Sequence, residues 1–100
     1  MGNYEIMYIV NPNAEEKLHD IVTKYEDIIN TDGEVESTSL WGKKHLAYEI
    51  RGCEEGYYIL VMFKATSKCV REVDRVMKLS EDILRHMIIR KSDMKELGRE

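Results

Sequence analysis

Basic side chains that could bind phosphate concentrate in two short stretches of a chain that is acidic overall, with a formal net charge of −4. Residues 41–53 contain three bases and one acid, and residues 85–91 contain three bases and no acid. Because lysine and arginine neutralise phosphate oxygens, these local stretches are the parts of the chain that could contact phosphate. A second interpretation stays open, since lysines on an exposed strand also discourage pairing between sheets. The candidate residues, with the histidines between them, are Lys43, Lys44, His45, Arg51, Arg85, His86, Arg90 and Lys91.

Side chains that could catalyse a reaction or bind a metal are scattered along the chain. The three histidines have no metal-ligand spacing, and Cys53 and Cys69 form neither a CxxC pair nor a disulfide framework. Neither a glycine-rich phosphate loop nor a nucleophile motif occurs. We therefore predict no enzyme, catalytic residue, metal, cofactor or small-molecule substrate.

The size and hydropathy of the chain limit its class. One hundred residues predict a single domain, which we assign to residues 1–91, followed by a flexible tail over residues 92–100. No apolar run approaches the roughly 20 residues of a membrane span, and the N-terminus does not resemble a signal peptide. We expect a cytoplasmic protein with reduced thiols and no membrane partner.

The elements that position the basic residues follow from hydrophobic periodicity. Strands are predicted at 4–10, 35–51, 57–65 and 83–90, and helices at 14–30 and 68–79. The first helix is expected to be capped by Asn13. In the second strand the apolar residues change from odd to even positions, which predicts a bulge near Trp41-Gly42. Leu46, Tyr48 and Ile50 alternate with polar residues and are expected to face the core. The segment 52–56 is interpreted as a hairpin loop.

This order, β-α-β-β-α-β, predicts an α+β, ferredoxin-like split β-α-β fold, with a four-stranded antiparallel sheet and two helices on one face. Right-handed crossovers place the first and third strands in the middle. The other face is then expected to be apolar, and we interpret it as a docking face for a partner protein, although a loop or the tail could also cover it. Its members are Met7, Ile9, Tyr58, Leu60 and Met62.

RNA-recognition modules share this order of elements, but their third strand carries a basic residue followed by aromatic rings. Here Glu55 has the wrong charge, and Ile59 and Met62 stand in the later ring positions. Base stacking on the open sheet is therefore not expected.

The basic second strand contains the segment Gly42-x-Lys44-His45-Leu46-Ala47-Tyr48-x-Ile50-Arg51. Other distinctive pieces are the Asn11-Pro12 step that ends the first strand, the Gly56-Tyr57-Tyr58 start of the third, and the last strand through Lys91. Taken in order, these pieces resemble the bacterial small-subunit ribosomal protein six family, of which the first segment is characteristic.

This resemblance implies a structural constituent of the 30S subunit that binds the central domain of 16S ribosomal RNA together with small-subunit protein eighteen. It also implies that the eight basic positions contact RNA. Departures from the family pattern include His45 and His86 where arginine is common, and Glu49 where proline is common. We therefore expect weak RNA affinity without the partner protein. The alternative is a stand-alone interaction module that dimerises through its open sheet face.

Overall fold

A computed structural model describes residues 1–91 and shows one four-stranded antiparallel sheet covered on one face by two helices. The strand order is β2-β3-β1-β4, so the first and third strands are central as predicted. The predicted ferredoxin-like fold is confirmed. The predicted tail, residues 92–100, lies outside the described residues. The elements are β1 (Gly2–Val10), α1 (Leu18–Asn30), β2 (Gly33–Ile50), β3 (Cys53–Ala65), α2 (Ser67–Leu79) and β4 (Ile83–Arg90), with a 3₁₀ segment (Pro12–Lys17) before α1.

The core lies between the sheet and the helices. Alternate residues of β1 and β3 face the helices, and the paired residues Ile6 and Val61 are almost completely buried. The helices contribute apolar stripes in which Tyr25 and Val73 are as deeply buried. Burying this many large apolar side chains is the dominant stabilising term of such a domain, because each fully buried one contributes about 1.5–3 kcal/mol.

The ends of both helices follow local hydrogen-bond chemistry. Thr66 caps α2, because its hydroxyl accepts from the Cys69 backbone N–H at 3.2 Å. The predicted cap at Asn13 is wrong. Instead the Asn11 side chain accepts from the Asn13 N–H at 2.8 Å, and a 3₁₀ segment beginning at Pro12 precedes α1.

The turn after α1 depends on a close approach of two strands. Gly33 does not adopt a positive φ, so the chain does not leave α1 through a left-handed glycine. It pairs with Ala65, and a Cβ on Gly33 would lie 2.3 Å from the Lys64 carbonyl oxygen. Glycine is needed at this position because the backbone of β3 occupies the space of a side chain.

Candidate nucleic-acid interface and docking face

The basic stretch of β2 lies on a hairpin that continues past the end of the sheet. The last β1–β3 pair joins Val10 to Tyr57, whereas β2 and β3 continue to pair as far as Ile50 and Cys53. We call residues 42–56 the hairpin arm. The predicted loop over residues 52–56 is wrong, because β3 begins at Cys53 and the turn consists only of Arg51 and Gly52.

A wide bulge gives the hairpin arm its shape. His45 pairs with Glu55 and Ile50 pairs with Cys53, so the four residues 46–49 lie opposite the single residue Glu54. The smaller bulge predicted near Trp41-Gly42 is present as well, and Gly42 has φ +87° there. Bulges bend a strand and re-aim its side chains. The regular alternation expected for residues 46–50 is therefore interrupted.

The wide bulge carries Tyr48 over the open face of the sheet, where it meets Arg85 of β4. The Arg85 guanidinium donates to the Tyr48 hydroxyl, and its carbon atom lies 5.7 Å from the centroid of the phenol ring. A cation near an aromatic ring is attracted by the ring's quadrupole. Tyr48 is 60% exposed, so the expectation that it faces the core is wrong. This contact brings Arg85, which belongs to the second basic stretch, against the hairpin arm, which carries the first.

The basic side chains of the hairpin arm differ in whether another side chain of the protein already contacts them. The ammonium of Lys43 lies 6.0 Å from the Tyr57 ring, and the imidazole of His45 lies 3.7 Å from the Glu55 carboxylate. Lys44 and Arg51 are exposed and make no ion pair or hydrogen bond with any side chain within residues 1–91. These two cations are therefore available to an external anion.

The backbone at the tip of the hairpin arm is strained. Arg51 has φ +52° and Gly52 has φ +80°, and the pair closes a two-residue turn. Positive φ at both central residues defines a type I′ turn, which prefers Asn-Gly. A bulky residue in the left-handed region is costly, and such strain tends to occur at functional sites.

His86 lies away from this group. It pairs with Tyr8 on the helix-facing side of the sheet, and its Nε2 is 2.7 Å from the carboxylate of Asp74 on α2. This hydrogen bond, with a weaker contribution from Lys78, holds the pKa of the Asp74 carboxyl below its usual range. The imidazole is only 12% exposed, so His86 joins β4 to α2 in this structure. Its predicted contact with RNA stays a prediction without geometric support.

Arg90 and Lys91 form a separate basic end. Five residues of strand separate Arg85 from Arg90, which corresponds to about 17 Å. The Lys91 ammonium is 3.0 Å from the Glu5 carboxylate, and Arg90 lies beside Gly2 at the start of β1. The eight predicted residues therefore do not form one patch. Five of them lie on or against the hairpin arm, two lie at the far end of β4, and one faces the helices.

The uncovered face of the sheet is apolar. Strand pairing places all five predicted members of the docking face on the side away from the helices. Met87 and Ile89 of β4 join them and are 52% and 43% exposed. We call these seven residues the open face. Met87 and Ile89 are absent from the predicted docking face, although the alternation of side chains along the last strand could have placed them there. Whether a partner docks here stays a prediction.

One end of the open face forms a groove of about 200 Å³ under the wide bulge. Its floor contains Ile9 and Tyr58, and its wall contains Leu46 and Ile50. Ile9 packs so closely against β3 that a Cβ on Gly56 would lie 2.4 Å from its methyl group. The groove is lined mainly by carbon, which suits an apolar side chain of a partner better than a polar substrate.

Reactive groups within residues 1–91 are not organised for chemistry. No group of three metal-ligating side chains occurs in this range. The thiol of Cys69 is buried, and this burial raises its pKa. Burial also raises the pKa of Tyr8, whose phenol packs edge-on against Tyr25. Both effects reduce reactivity near neutral pH. No helix in the described part of the chain is long and apolar enough to cross a membrane.

The strand order and the two helices on one face define a protein of the ferredoxin-like class. The family model for ribosomal protein S6 matches residues 3–90. The chain is 46% identical over 95 residues to small ribosomal subunit protein bS6 of Desulforamulus reducens, covering 93% of this chain and 100% of that protein. It is 42% identical over 90 residues to bS6 of Clostridioides difficile, covering 89% and 98%. The chain belongs to the ribosomal protein S6 family, whose members are structural ribosomal proteins and not enzymes.

Solved structures agree with this assignment. The crystal structure of 30S ribosomal protein S6 from Thermotoga maritima is similar, with a TM-score of 0.88 and 27% identity, covering 98% of this chain and 94% of that one. The C-terminal domain of the MgtC protein from Mycobacterium tuberculosis has a TM-score of 0.58 at 10% identity, covering 90% and 87%. This second likeness concerns the fold alone.

Proposed function

We propose that this chain binds the central domain of 16S ribosomal RNA together with small-subunit protein eighteen, as a structural constituent of the 30S subunit in the cytoplasm. The observation that carries the proposal is the hairpin arm, which presents two uncompensated cations, Lys44 and Arg51, beyond the edge of the sheet. Family membership supports a ribosomal setting for this geometry.

The charges of the hairpin arm indicate that RNA binding depends on a partner. Besides its three lysine and arginine side chains, the arm contains Glu49, Glu54 and Glu55, so the arm has no net charge when His45 is neutral. Long-range attraction to RNA is therefore weak, and phosphate contacts act only at short range. A partner protein on the same RNA would supply the missing attraction and hold the arm against its phosphates.

The open face is the surface on which we place protein eighteen. It is apolar, it adjoins the hairpin arm through the Tyr48–Arg85 contact, and its far border carries the Lys91–Glu5 pair. A partner seated there would lie against both basic ends of β4. In the alternative, a second copy of the chain occupies the same face and forms a stand-alone dimer. Membership of a ribosomal family favours the ribosomal partner.

A charge-reversal experiment tests the RNA contacts. Lys43→Glu, Lys44→Glu and Arg51→Glu are combined, and binding to a 16S central-domain fragment is measured with protein eighteen present. We expect weaker binding and a shallower salt dependence, since each lost phosphate contact lowers the slope of log K against log salt by about 0.7–0.9.

The matched control for this triple variant reverses three exposed cations of the helices, Lys24, Lys68 and Arg71. It changes the net charge equally, so we expect only a small effect. Equal losses in the two triple variants would show that net charge decides binding and that the hairpin arm is not the contact surface.

A second variant tests the docking face. Tyr58→Glu places a charge in the groove of the open face and is expected to abolish co-binding of protein eighteen. The control is Leu79→Glu on α2, which alters a 72% exposed leucine outside the open face. Unaffected co-binding in Tyr58→Glu would remove the open face from the proposal.

A further inference from the structure

Trp41 is a large apolar side chain that the fold leaves half uncovered. Its side chain is 47% exposed, although tryptophan contributes strongly to cores and interfaces when it is buried. Leu40 pairs with Ile59 and Gly42 pairs with Tyr58, so Trp41 lies opposite no residue of β3. The bulge therefore removes Trp41 from the regular alternation of β2. Nothing in the described core depends on it.

The surroundings of Trp41 are open. A Cβ on the neighbouring Gly42 would meet no atom within 4 Å. The strand β2 is at the edge of the sheet, so no further strand covers its outer side within residues 1–91. Part of the indole, which is 47% exposed, is therefore accessible to a ligand.

The charges beside Trp41 indicate which ligand this surface would take. Lys43 and Lys44 follow it at once, and no acid occurs between residues 37 and 48. Lys43 lies two residues from Trp41, or about 7 Å along the strand, and Lys44 is the next residue, with its side chain directed to the opposite side. Their long side chains can therefore reach phosphates on the two sides of a base stacked on the indole. Leu40, which precedes Trp41, is 57% exposed, so the surface is apolar on one side of the indole and cationic on the other. Two lysines beside an exposed aromatic ring favour single-stranded RNA, because sites for single strands combine positive charge with aromatic stacking.

We propose that Trp41 stacks on an unpaired base of RNA, with Lys43 and Lys44 binding the adjacent phosphates. The inference rests on the proposed RNA-binding function and deepens it, because it adds a base contact to a set of backbone contacts. Stacking is tolerant of base identity, since every base has a π-face. The site would therefore select an unpaired, accessible nucleotide and not a particular sequence.

Fluorescence tests the stacking directly, because Trp41 is the only tryptophan of the chain. The wild-type protein is titrated with the 16S central-domain fragment in the presence of protein eighteen, and indole emission is followed beside an independent measurement of binding. The Trp41→Phe variant supplies the background from the other components, since it retains a ring but lacks the indole. We expect emission to be quenched in proportion to the fraction bound.

Affinity provides the second readout. Trp41→Ala is expected to weaken RNA binding about tenfold or more, whereas Trp41→Phe loses far less. The salt dependence of both variants should equal that of the wild type, because neither removes a charge. Since Trp41 is 47% exposed and outside the core, urea unfolding of Trp41→Ala should show a folded protein with only a modest loss of stability.

The outcomes separate this inference from the proposed function. Tight RNA binding with unchanged emission and unchanged affinity of Trp41→Ala would overturn the stacking and leave the proposed function intact. Quenching by protein eighteen without RNA would also overturn it, because a protein would then cover the indole. Failure of the wild type to bind the fragment with protein eighteen would refute the proposed function and the stacking together.

Discussion

Replacing Arg51 with asparagine is expected to stabilise the protein and to weaken its binding to RNA. Arg51 has φ +52° in a type I′ turn, and the left-handed conformation costs an L-residue about 1–2 kcal/mol. Asparagine tolerates this conformation because its short side chain forms local hydrogen bonds. If asparagine recovers about half of the cost, the free energy of unfolding increases by about 0.5–1 kcal/mol.

Urea unfolding measures the first half of this prediction. A domain of this size has a denaturant slope of about 1–1.5 kcal/mol per molar urea, so the midpoint should increase by about 0.5 M. RNA binding measures the second half, since loss of one phosphate contact should lower the salt slope by about 0.7–1. The control is Arg51→Lys, which keeps the charge and the strain and should change neither quantity.

Two results would refute the reasoning about Arg51. A midpoint that falls or stays constant in Arg51→Asn would show that the turn is not strained by arginine. An unchanged salt slope would show that Arg51 is a solvated side chain with no phosphate partner. If both predicted changes occur, the strained turn is retained for binding at the expense of stability.

Two further predictions concern stability alone. Gly33→Ala should lower the free energy of unfolding by about 1–3 kcal/mol, because its Cβ would lie 2.3 Å from the Lys64 carbonyl oxygen; an unchanged urea midpoint would contradict this. The hydrogen bond from His86 lowers the pKa of Asp74, so Asp74 contributes stability that is present above about pH 4 and is lost as the pH falls through the lowered pKa. Asp74→Asn should therefore be less stable than the wild type at pH 6 by about 1 kcal/mol or less, and this difference should shrink below pH 4. Asp27→Asn on α1 is the control, and a difference that persists at pH 2 would refute the assignment.

The order of elements could be predicted because the sequence is locally consistent. Strands β1 and β3 are apolar on both faces, which only central strands need to be, and this property places them in the middle of the sheet. The open face also followed from parity alone, since Met7 and Tyr58 alternate with core residues. The bulge at Gly42 could be predicted because the apolar residues of β2 change from odd to even positions in the sequence.

The hairpin arm could not be predicted in the same way. Leu46, Tyr48 and Ile50 alternate as in a regular strand, and nothing local reveals that four residues lie opposite one. Arginine is uncommon in the left-handed conformation of a tight turn, so the residue type of Arg51 did not indicate the turn that it forms. The side chains of the hairpin arm are positioned by its pairing with β3 and by packing around the groove. Both are tertiary interactions, which local sequence does not reveal.

The position of His86 was missed for a similar reason. Its basic neighbours suggested a common role, but the alternation of β4 turns its side chain towards α2, where Asp74 accepts its hydrogen bond. Parity predicted the side of the sheet, and only the packing of α2 against β4 supplied the partner. A basic residue in a basic stretch of a strand can therefore be assigned to a binding surface only when the side of the sheet on which its side chain lies is known.

Cross-linking of intact small ribosomal subunits tests the central claim most directly. Subunits purified from cells that make this chain are cross-linked, and the linked peptides are identified by mass spectrometry. We expect links to 16S RNA from Lys43, Lys44 and Arg51 on the hairpin arm, and links to protein eighteen from residues of the open face such as Met7 and Tyr58. RNA links confined to the outer sides of α1 and α2, with no link from the hairpin arm, would contradict it.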